Sequence, residues 1–592
     1  MPTGHEPQTT NHKRRTPDHK LTMRSDPLDR LLTRLEALKG RFGDGDGART
    51  ERVLAQFDCR TFDDAESLIR FHEVLLFLRA YPQSPEVLQR TESVLSSFHE
   101  RIERLAASGA DMTPFDYIEA SGIAGTAISG RFSYEIVRWL AERYPSEVNV
   151  DWDRYERTER LGATLSLFLP LLHEESLVEA NIPYREYLRA VTRSNKRGVH
   201  WLLDRFEELP RSRRERAGLY DLLELPIRWE LGATRASRTR LRRKVQKVFF
   251  HTGPLIRRSE VSLSAELDSP PIPVEKLSRR AGEAILDMVR ETTTVRYREL
   301  YGITHGDPGS VVRAEVGRGV EVFLWGLPRE RRLPLRGYHA GFTLKNGVPV
   351  NYIEAITLFE RTEVGFNTFY TYRDGETAWV YARVLRLLRQ MIGVTCISID
   401  PYQLGFNNDE AIESGAFWFY RKLGFRPTRP DLLRLTEAEE AKIARRAVYR
   451  TPARVLRRLS EGPAIYEHEG TGHGEWDLFR IRNLGLAVAR RMATRYASDP
   501  ARSRQAAAAS AARALGLDRA EVAVHDQRAF EDFALVLALI PDLHRWPAGE
   551  KRLLTQIISA KTKPDEARYV RLLQRHRRLR EAIIKLGSDA SR

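Results

Sequence analysis

Cysteine is almost absent from this sequence, since only Cys59 and Cys396 occur among its 592 residues. Two cysteines this far apart provide neither a disulfide framework nor a cysteine-rich metal site, and they fit a reducing compartment. No apolar run approaches the roughly 18 residues that cross a bilayer, and residues 1–24 are polar, without the apolar core of a secretion signal. We therefore expect a cytoplasmic protein with a disordered tail at 1–24 and no membrane association.

Several familiar site patterns are also missing. The sequence contains no P-loop, no dinucleotide-binding glycine fingerprint and no Ser-His-Asp nucleophile elbow. His468 and His473 are five residues apart with glycines between them, so one helix could not align their rings around zinc. Asp44 and Asp46 lie in a glycine-rich turn that lacks the downstream ligands of a calcium-binding loop. We therefore expect no bound metal.

Positive charge is what the sequence has in excess: 96 lysine and arginine residues outweigh 80 acidic ones, for a net charge of +16. Such a field attracts phosphates, so RNA, tRNA or a nucleotide cofactor is a candidate partner. The alternative is that arginine-rich composition reflects the source proteome. A helix at 235–247 would have a positive face that could bind phosphates. The alternative is a surface helix whose charges are only solvated. The basic residues of this segment are Arg235, Arg238, Arg240, Arg242, Arg243, Lys244 and Lys247.

The chain is long enough for two or three domains, and its 42% hydrophobic content is typical of folded proteins. Apolar residues spaced three and four apart predict amphipathic helices in the N-terminal part. The proline-rich Ser269–Pro273 indicates an extended break between domains. We predict a helical domain at 25–290, an α/β domain at 291–430 and a helical region at 431–592. The predicted N-terminal helices include Pro27–Arg41, Asp64–Ala80, Pro85–Ala106 and Glu174–Phe206.

The central region has a different pattern, with short runs of β-branched and aromatic residues. Asn346-Gly347 between two such runs is a strong hairpin-turn signal. One helix is predicted at Glu376–Met391 and a second at Asp409–Leu423, ending at Gly424. The fold class is therefore α+β, with a mixed central sheet between helical flanks. The predicted strands are Val320–Trp325, Gly337–Leu344, Pro349–Leu358, Gly365–Tyr372 and Val394–Ile399.

The segment Ser414–Pro427, which reads SGAFWFYRKLGFRP, is the most informative in the chain. It resembles the last conserved motif of the GNAT N-acyltransferase superfamily, in which a helix carrying a tyrosine leads into Leu-Gly-Phe and a final strand. The resemblance implies that Tyr420 protonates the thiolate of departing coenzyme A, a role that suits a phenol. It also implies that Asn407 and Asn408 contact the pantetheine arm of the donor. The alternative for Tyr420 is a core aromatic packed beside neighbouring phenylalanines.

The loop Tyr372–Ala378 lies between a predicted strand and a predicted helix, where GNAT proteins hold the pyrophosphate of coenzyme A on backbone N–H groups. The resemblance assigns Arg373, Gly375, Thr377 and Ala378 to cofactor binding. The glycine is one position early, and two carboxylates in this loop would cap the helix and repel a pyrophosphate. The alternatives are a simple N-cap turn, or another donor such as the aminoacyl-tRNA used by the FemX-like and leucyl/phenylalanyl transferases.

Acyl transfer to an amine also needs a base. Glu354, in the predicted strand Pro349–Leu358, is the first candidate, because carboxylates that line a dry cleft can be tuned for proton transfer. Further candidates are Glu363, near the following turn, and His339, on the preceding strand. The alternative for each is an ordinary strand residue in contact with solvent.

Together these features predict an N-acyltransferase that moves an acyl group, acetyl from acetyl-CoA or the group of another acyl-CoA, to an amine-bearing acceptor of unknown identity. Two alternatives stay open: a non-catalytic GNAT-like module that binds a partner or nucleic acid, and an aminoacyl-tRNA-dependent transferase. An open groove between splayed strands that ends at Arg373 would favour the enzyme. Side chains filling that groove would favour the module.

Overall fold

The computed structural model describes residues 27–169, 182–193, 197–446, 448–468, 472–518 and 524–588. It confirms the α+β class, because helices combine with a nine-stranded mixed sheet and a separate three-stranded sheet in the described part of the chain. The chain forms two compact units that are discontinuous in sequence, and the predicted boundaries at 290 and 430 fall inside them. Unit 1 contains Met1–Pro254, Ala284–Thr304 and Lys345–Pro349, and unit 2 contains Leu255–Glu283, His305–Leu344 and Val350–Arg592.

Unit 1 is built mainly from amphipathic helices. Three of them begin at capping side chains: Asp64 Oδ1 accepts from Ser67 N at 2.7 Å, Ser84 caps the helix that starts at Pro85, and Ser212 caps the helix that starts at Arg213. Such caps satisfy N–H groups that have no partner inside the helix. The buried faces include aromatic rings such as Phe71. The helices are Pro27–Lys39, Asp46–Ala55, Ala65–Ala80, Pro85–Ser96, Phe98–Ala107, Tyr134–Arg143, Thr158–Leu165, Tyr184–Thr192, Gly198–Glu208, Arg213–Asp221, residues 284–294 of Arg279–Thr294, and Tyr301–Thr304.

A three-stranded sheet also lies in unit 1, in a region that the sequence analysis predicted to be helical. Its strands are β1 (Ala127–Arg131), β2 (Val148–Val150) and β3 (Pro226–Glu230), and β3 pairs antiparallel with the other two. These strands are too short to show a clear alternation of apolar and polar residues, so the pattern did not reveal them. Much of the predicted helix Glu174–Phe206 lies outside the described residues, and the rest includes Tyr184–Thr192.

The basic segment 235–247 runs through turns and is not a helix, so the prediction of a positive helix face was wrong. The reason is that side chains within the segment bind groups elsewhere in unit 1. Arg238 is only 5% exposed and forms an ion pair with Glu73 at 2.7 Å. Thr239 Oγ1 accepts from Ala124 N at 2.8 Å. These contacts hold the backbone in an irregular path.

Unit 2 is built around the nine-stranded sheet. Its strands are β4 (Val274–Lys276), β5 (Val312–Gly317), β6 (Val320–Trp325), β7 (Gly337–Lys345), β8 (Val348–Leu358), β9 (Arg361–Thr368), β10 (Cys396–Ile399), β11 (Arg426–Pro427) and β12 (Ala464–Glu467). Their order across the sheet is β11-β12-β10-β9-β8-β7-β6-β5-β4. β9 and β10 are parallel, whereas β12 is antiparallel to its neighbours β10 and β11. The last strand is therefore inserted between two earlier ones.

Local sequence signals placed several of these elements correctly. The hairpin turn between β7 and β8 is confirmed, because Asn346 and Gly347 both have positive φ, at 50° and 79°. The predicted helix Glu376–Met391 is present as Thr377–Ile392, and it ends at Gly393 in a left-handed conformation. The strand predicted at Gly365–Tyr372 is shifted, because β9 ends at Thr368 and a short 3₁₀ helix follows.

The helix predicted at Asp409–Leu423 was wrong, because two short helices, Asp409–Glu413 and Ala416–Arg421, occupy this stretch. Gly415 separates them with a φ of 67°, a left-handed conformation that ends a helical repeat. Tyr420 therefore belongs to a helix of only six residues. This helix leads into Gly424 and β11.

The remaining helices of unit 2 cover the sheet and form the C-terminal region. Burial of their apolar faces joins them to the sheet in one core. No helix in the described ranges is long and apolar enough to span a membrane. The helices are Leu263–Leu267, residues 279–283 of Arg279–Thr294, Thr377–Ile392, Pro401–Leu404, Asp409–Glu413, Ala416–Arg421, Pro430–Arg445, Ala453–Leu459, Ile481–Tyr496, Pro500–Leu515, Val524–Leu537, Ala548–Ala560, Glu566–Gln574 and Arg577–Ser588.

Candidate active site

The parallel strands β9 and β10 separate soon after they meet. They pair at three positions, from Cys396 opposite Arg361 to Ser398 opposite Glu363. β9 then continues to Thr368, whereas β10 ends at Ile399 and the chain turns into the helix Pro401–Leu404. The far part of β9 therefore has backbone groups on this edge that no strand pairs with, and such groups must find other partners.

Gln403 occupies the space between the separating strands. Its Oε1 accepts from Phe366 N of β9 at 3.4 Å and from the hydroxyl of Tyr420 at 3.4 Å. A Cβ on Gly365 would lie 2.8 Å from Gln403 Nε2, so the glycine leaves the room that this amide needs. The groove between the strands is thus filled, at this level of the sheet, by a side chain.

Tyr420 lies deep beside this groove. Its ring packs edge-on against Tyr381 and Phe425, with centroids 5.8 and 5.6 Å away, and the residue is only 4% exposed. Burial raises the pKa of the phenol, so the hydroxyl keeps its proton near neutral pH. Gln403 accepts that proton's hydrogen bond. Tyr420 is therefore both a core aromatic and a protonated donor directed at the point where the strands part.

Glu354 of β8 lies directly opposite Gly365 of β9 in the antiparallel register. The Tyr338 hydroxyl of β7 donates a hydrogen bond to Glu354 Oε1. Burial raises the pKa of Glu354, and the hydrogen bond from Tyr338 lowers it by a smaller amount. A partly buried carboxylate with a raised pKa can accept a proton from an ammonium or amine more readily than an exposed one. Its position next to Gly365 places it beside the same groove.

The same face of the sheet continues away from Glu354 in both directions. Asn367 of β9 lies opposite Tyr352 and donates to its hydroxyl at 2.9 Å. Residues at alternate positions point to this face. The partly buried ones among them include Glu354, Glu363 and Asn367.

The two other candidate bases have different surroundings. Glu363 is partly buried, and its charge acts on Arg336, whose pKa burial lowers. His339 is next to Tyr338 in β7, so the alternation of a strand directs it to the opposite face of the sheet from Glu354. Burial lowers the pKa of His339, which keeps it neutral. Gln403 links the hydroxyl of Tyr420 to Gly365, the cross-strand neighbour of Glu354. The ring of Tyr420 packs through Tyr381 on the Phe366 face of β9, whereas Glu354 lies on the Gly365 face. His339 is not part of this chain of contacts in the described residues.

The predicted cofactor loop begins after β9, and its groups are largely engaged within the protein. Arg373 forms an ion pair with Glu410, and its guanidinium lies 5.6 Å from the ring centre of Tyr370. Gly375 N donates to Tyr372 O at 2.9 Å, so this N–H group already has an acceptor. These contacts describe a tight turn that precedes the helix Thr377–Ile392.

The two carboxylates of the loop were expected to cap that helix, and no side-chain cap is formed. Glu376 occupies the capping position but is 1% exposed, and its Oε1 pairs with Arg318 Nη2 at 2.6 Å and accepts from Ile256 N at 3.1 Å. Thr377 Oγ1 donates to Arg373 O at 3.4 Å, and Ala378 is buried. Arg318 therefore compensates the charge of Glu376 within the fold.

The two asparagines expected to contact the pantetheine arm have separate roles in the structure. Asn408 caps the helix Asp409–Glu413, accepting from Ala411 N at 3.1 Å and donating to Tyr402 O at 3.1 Å. Its amide is therefore used by the fold. Asn407 is exposed and has a left-handed backbone with a φ of 54°, a conformation that asparagine tolerates better than most residues.

Within the described ranges no group of three or more His, Cys, Asp and Glu side chains converges. His468 Nε2 lies 2.9 Å from Asp268, and His473 Nδ1 lies 3.0 Å from Glu467. Glu469, between the two histidines, lies outside the described residues.

The sequence analysis missed Gln403, Gly365 and Tyr338 as site residues. One signal was present for Gly365, because a glycine within a strand pattern marks a close approach of another group. No family model, curated protein or solved structure matches this chain.

Proposed function

We propose that unit 2 is a GNAT-like N-acyltransferase whose reaction takes place where β9 and β10 separate. The observation that carries this proposal is a chain of contacts: Glu354 lies opposite Gly365, and Gln403, beside Gly365, accepts from the hydroxyl of Tyr420. Burial raises the pKa of the Glu354 carboxyl and keeps the phenol of Tyr420 protonated. The motif around Tyr420 resembles that of the superfamily. The parallel strand pair, which parts before the helix of Tyr420, gives a second, independent point of support.

In the proposed reaction the nitrogen of an amine attacks the carbonyl carbon of an acyl thioester. Glu354 takes the proton that the nitrogen loses, the C–S bond breaks, and the departing thiolate takes the proton of Tyr420. Phe366 N–H polarises the carbonyl oxygen, a function that strand amides at such an edge can serve. Gln403 Oε1 accepts from both Phe366 N and the Tyr420 hydroxyl in the structure. The side chain of Gln403 must therefore move away when the thioester enters, so that these two donors can reach it.

Acetyl-CoA or another acyl-CoA is the proposed donor, and an amine-bearing molecule is the proposed acceptor. Arg373, Thr377 and the first N–H groups of the helix Thr377–Ile392 are the groups proposed to face the pyrophosphate. A ligand that binds only the folded state stabilises it, by about 2.7 kcal/mol at a hundredfold excess over Kd. Acetyl-CoA is therefore expected to raise the melting temperature of the full chain.

A release assay for free coenzyme A with a panel of amines tests the chemistry. Glu354→Gln keeps the size of the side chain and removes the base, so turnover is expected to fall by about 10²- to 10⁴-fold. The thermal shift with acetyl-CoA is expected to persist in this variant, because Glu354 contacts the acceptor side. Absence of both a shift and turnover in the wild-type protein would reject the proposal.

One observation favours the second candidate, a non-catalytic GNAT-like module. Gln403 fills the groove and Gly375 N–H is already bonded, as expected for a fold that no longer admits a carrier. In that case Gln403→Ala has no effect on acetyl-CoA binding, because the protein does not bind acetyl-CoA.

An aminoacyl-tRNA donor is the third candidate, supported by the net charge of +16. Transfer of a radiolabelled amino acid from charged tRNA tests it separately.

A further inference from the structure

A cleft of about 640 Å³ in unit 1 is lined by basic side chains and by no carboxylate. It is formed by the segment that the sequence analysis singled out for its charge. Five of its lining residues are cationic, and the sixth, Ala233, is small. The cationic ones are Arg235, Arg240, Arg242, Arg243 and Lys244.

The segment that carries these cations is anchored at its buried residues. Arg238 forms an ion pair with Glu73 and donates to the backbone of residue 119. Thr239 Oγ1 lies 2.9 Å from His72 Nε2 and accepts from a backbone N–H. Arg240 donates to Ser96 O. Anchoring lowers the entropy that the segment would lose on binding a ligand, so the charges are positioned before a ligand arrives.

The positive charge of the cleft is only partly compensated. Glu92 is shared between Arg79, which it binds through two hydrogen bonds, and Arg242 of the cleft. One carboxylate thus serves two guanidinium groups. Arg235 and Lys244 are exposed and have no carboxylate within 4 Å in the part of the chain that the structure describes, although the charge of Arg235 acts on the buried Glu291.

Arginine provides most of the hydrogen-bond donors at the cleft. Guanidinium groups bind phosphate oxygens with particular strength, because charge and hydrogen-bond geometry both match.

We propose that this cleft binds a small ligand carrying at least two linked phosphate groups, such as a nucleoside triphosphate or tripolyphosphate. Its volume lies within the range of roughly 300 to 1,000 Å³ that small-molecule sites occupy. No aromatic side chain lines it, so the phosphates and not a base are recognised. All of its lining residues belong to unit 1.

Calorimetric titration of the full chain with tripolyphosphate, ATP, GTP and adenosine tests this proposal. The three phosphorylated ligands are expected to bind with affinities within about threefold of one another, weakening steeply with salt, and adenosine is expected not to bind. The variant Arg235→Glu with Lys244→Glu is expected to weaken binding at least about tenfold, since two charge-assisted contacts are lost.

A control with the same change in net charge separates the cleft from the overall field of the protein. Arg34→Glu with Arg189→Glu alters two exposed arginines of unit 1 outside the cleft, and its affinity is expected to stay within about twofold. Should the cleft variant fail to fold, as judged by circular dichroism, Arg235→Gln with Lys244→Gln replaces it. The proposal would be overturned if the cleft variant and the control variant lost equal affinity for tripolyphosphate, or if the wild type did not bind tripolyphosphate.

Nucleic acid is the competing ligand class, and a short single-stranded RNA is titrated in parallel. If RNA binds more tightly than tripolyphosphate and loses affinity in the cleft variant, the cleft binds a nucleic acid backbone, and the proposal of a small phosphate ligand is wrong. RNA that binds equally to the cleft variant and to the wild type contacts other surfaces and leaves the assignment of the cleft to tripolyphosphate intact.

Discussion

Gly365 and Gln403 share one space in unit 2: the amide Nε2 of Gln403 lies 2.8 Å from the position that a Cβ on Gly365 would take. A real Cβ could not stand there without displacing the amide. The glycine therefore allows Gln403 to reach Phe366 N of β9 and the hydroxyl of Tyr420. Two residues that are far apart in sequence thus determine whether the groove between β9 and β10 is open or filled.

The first prediction concerns this pair. Gly365→Ala is expected to lower the free energy of unfolding by about 1 to 2 kcal/mol, because Gln403 must move and lose its two hydrogen bonds. In a Gln403→Ala background the same substitution is expected to have little effect, because its neighbour is gone. Chemical denaturation of the four proteins gives the coupling energy of the double-mutant cycle. Additive effects of the two substitutions would show that the residues do not compete for the space.

Local signals in the sequence were sufficient for the elements that are determined locally. The turn at Asn346-Gly347 follows from the preference of these residues for positive φ, and the helix Thr377–Ile392 follows from its apolar stripe and terminal glycine. The break at Gly415 was missed, because an isolated glycine within a helical pattern is often tolerated. β1 to β3 were missed because strands this short carry little periodicity, and distant pairing creates them.

The second prediction concerns a buried ion pair between the C-terminal helices. Lys561 is 3% exposed, and its Nζ donates to Glu566 Oε1 at 2.7 Å and to Arg336 O at 2.7 Å. Lys561→Met leaves the buried Glu566 with Arg332, 3.8 Å away, as its remaining cationic partner, so a loss of about 2 to 3 kcal/mol in the free energy of unfolding is expected. Urea denaturation at neutral pH measures it.

The matched control for Lys561 is an exposed pair in the same region. Arg577 pairs with Glu581 at 2.9 Å, but the two side chains are 90% and 56% exposed. Arg577→Met is expected to cost less than about 0.5 kcal/mol, because solvent screens both charges. Comparable losses in the two variants would contradict the role of burial.

The candidate site was accessible to sequence reasoning only in part. Glu354 could be proposed because it lies within a clear strand pattern, and Tyr420 because it belongs to a recognisable motif. Gln403 carries no such signal, since its role depends on contacts with Gly365 and Tyr420 that only the folded chain creates. The engagement of Asn408 as a helix cap likewise follows from the short helix that begins after it.

The third prediction separates catalysis from packing at Tyr420. Tyr420→Phe keeps the ring among its aromatic neighbours and removes one long hydrogen bond, so the free energy of unfolding is expected to change by less than about 1 kcal/mol. If the hydroxyl protonates the leaving thiolate, turnover falls by about 10²-fold with little change in KM. Steady-state kinetics with acetyl-CoA and an accepted amine give both values.

Tyr381 provides the matched control for Tyr420. It is fully buried in the same aromatic cluster, 5.8 Å from Tyr420 by ring centroids, and its hydroxyl has no hydrogen-bond partner among the described residues. Tyr381→Phe is therefore expected to leave turnover unchanged and stability unchanged or slightly higher. Equal loss of turnover in the two variants would show that disturbed packing, and not a lost proton donor, is responsible.

The fourth prediction follows from the raised pKa of Glu354. In the unfolded chain this carboxyl ionises near its ordinary pKa, whereas in the folded protein burial holds the proton to higher pH. Between the two pKa values the folded state binds more protons, so the contribution of Glu354 to stability falls as pH rises through this window. The free energy of unfolding of the wild type relative to Glu354→Gln is expected to be highest below pH 4 and to decline by at most about 1.4 kcal/mol per pH unit.

The activity of the wild type should change with pH in the opposite direction to this stability. A base must be ionised to accept a proton, so kcat/KM is expected to rise as pH passes through the raised pKa of Glu354. Tyr338→Phe removes the hydrogen bond that lowers this pKa, and it should shift the acidic limb of the profile to higher pH. Glu363→Gln is the control, because its carboxylate lies on the same strand pair beside Arg336 and is not the proposed base. If the acidic limb moves in Glu363→Gln and stays in place in Tyr338→Phe, Glu363 and not Glu354 is the base.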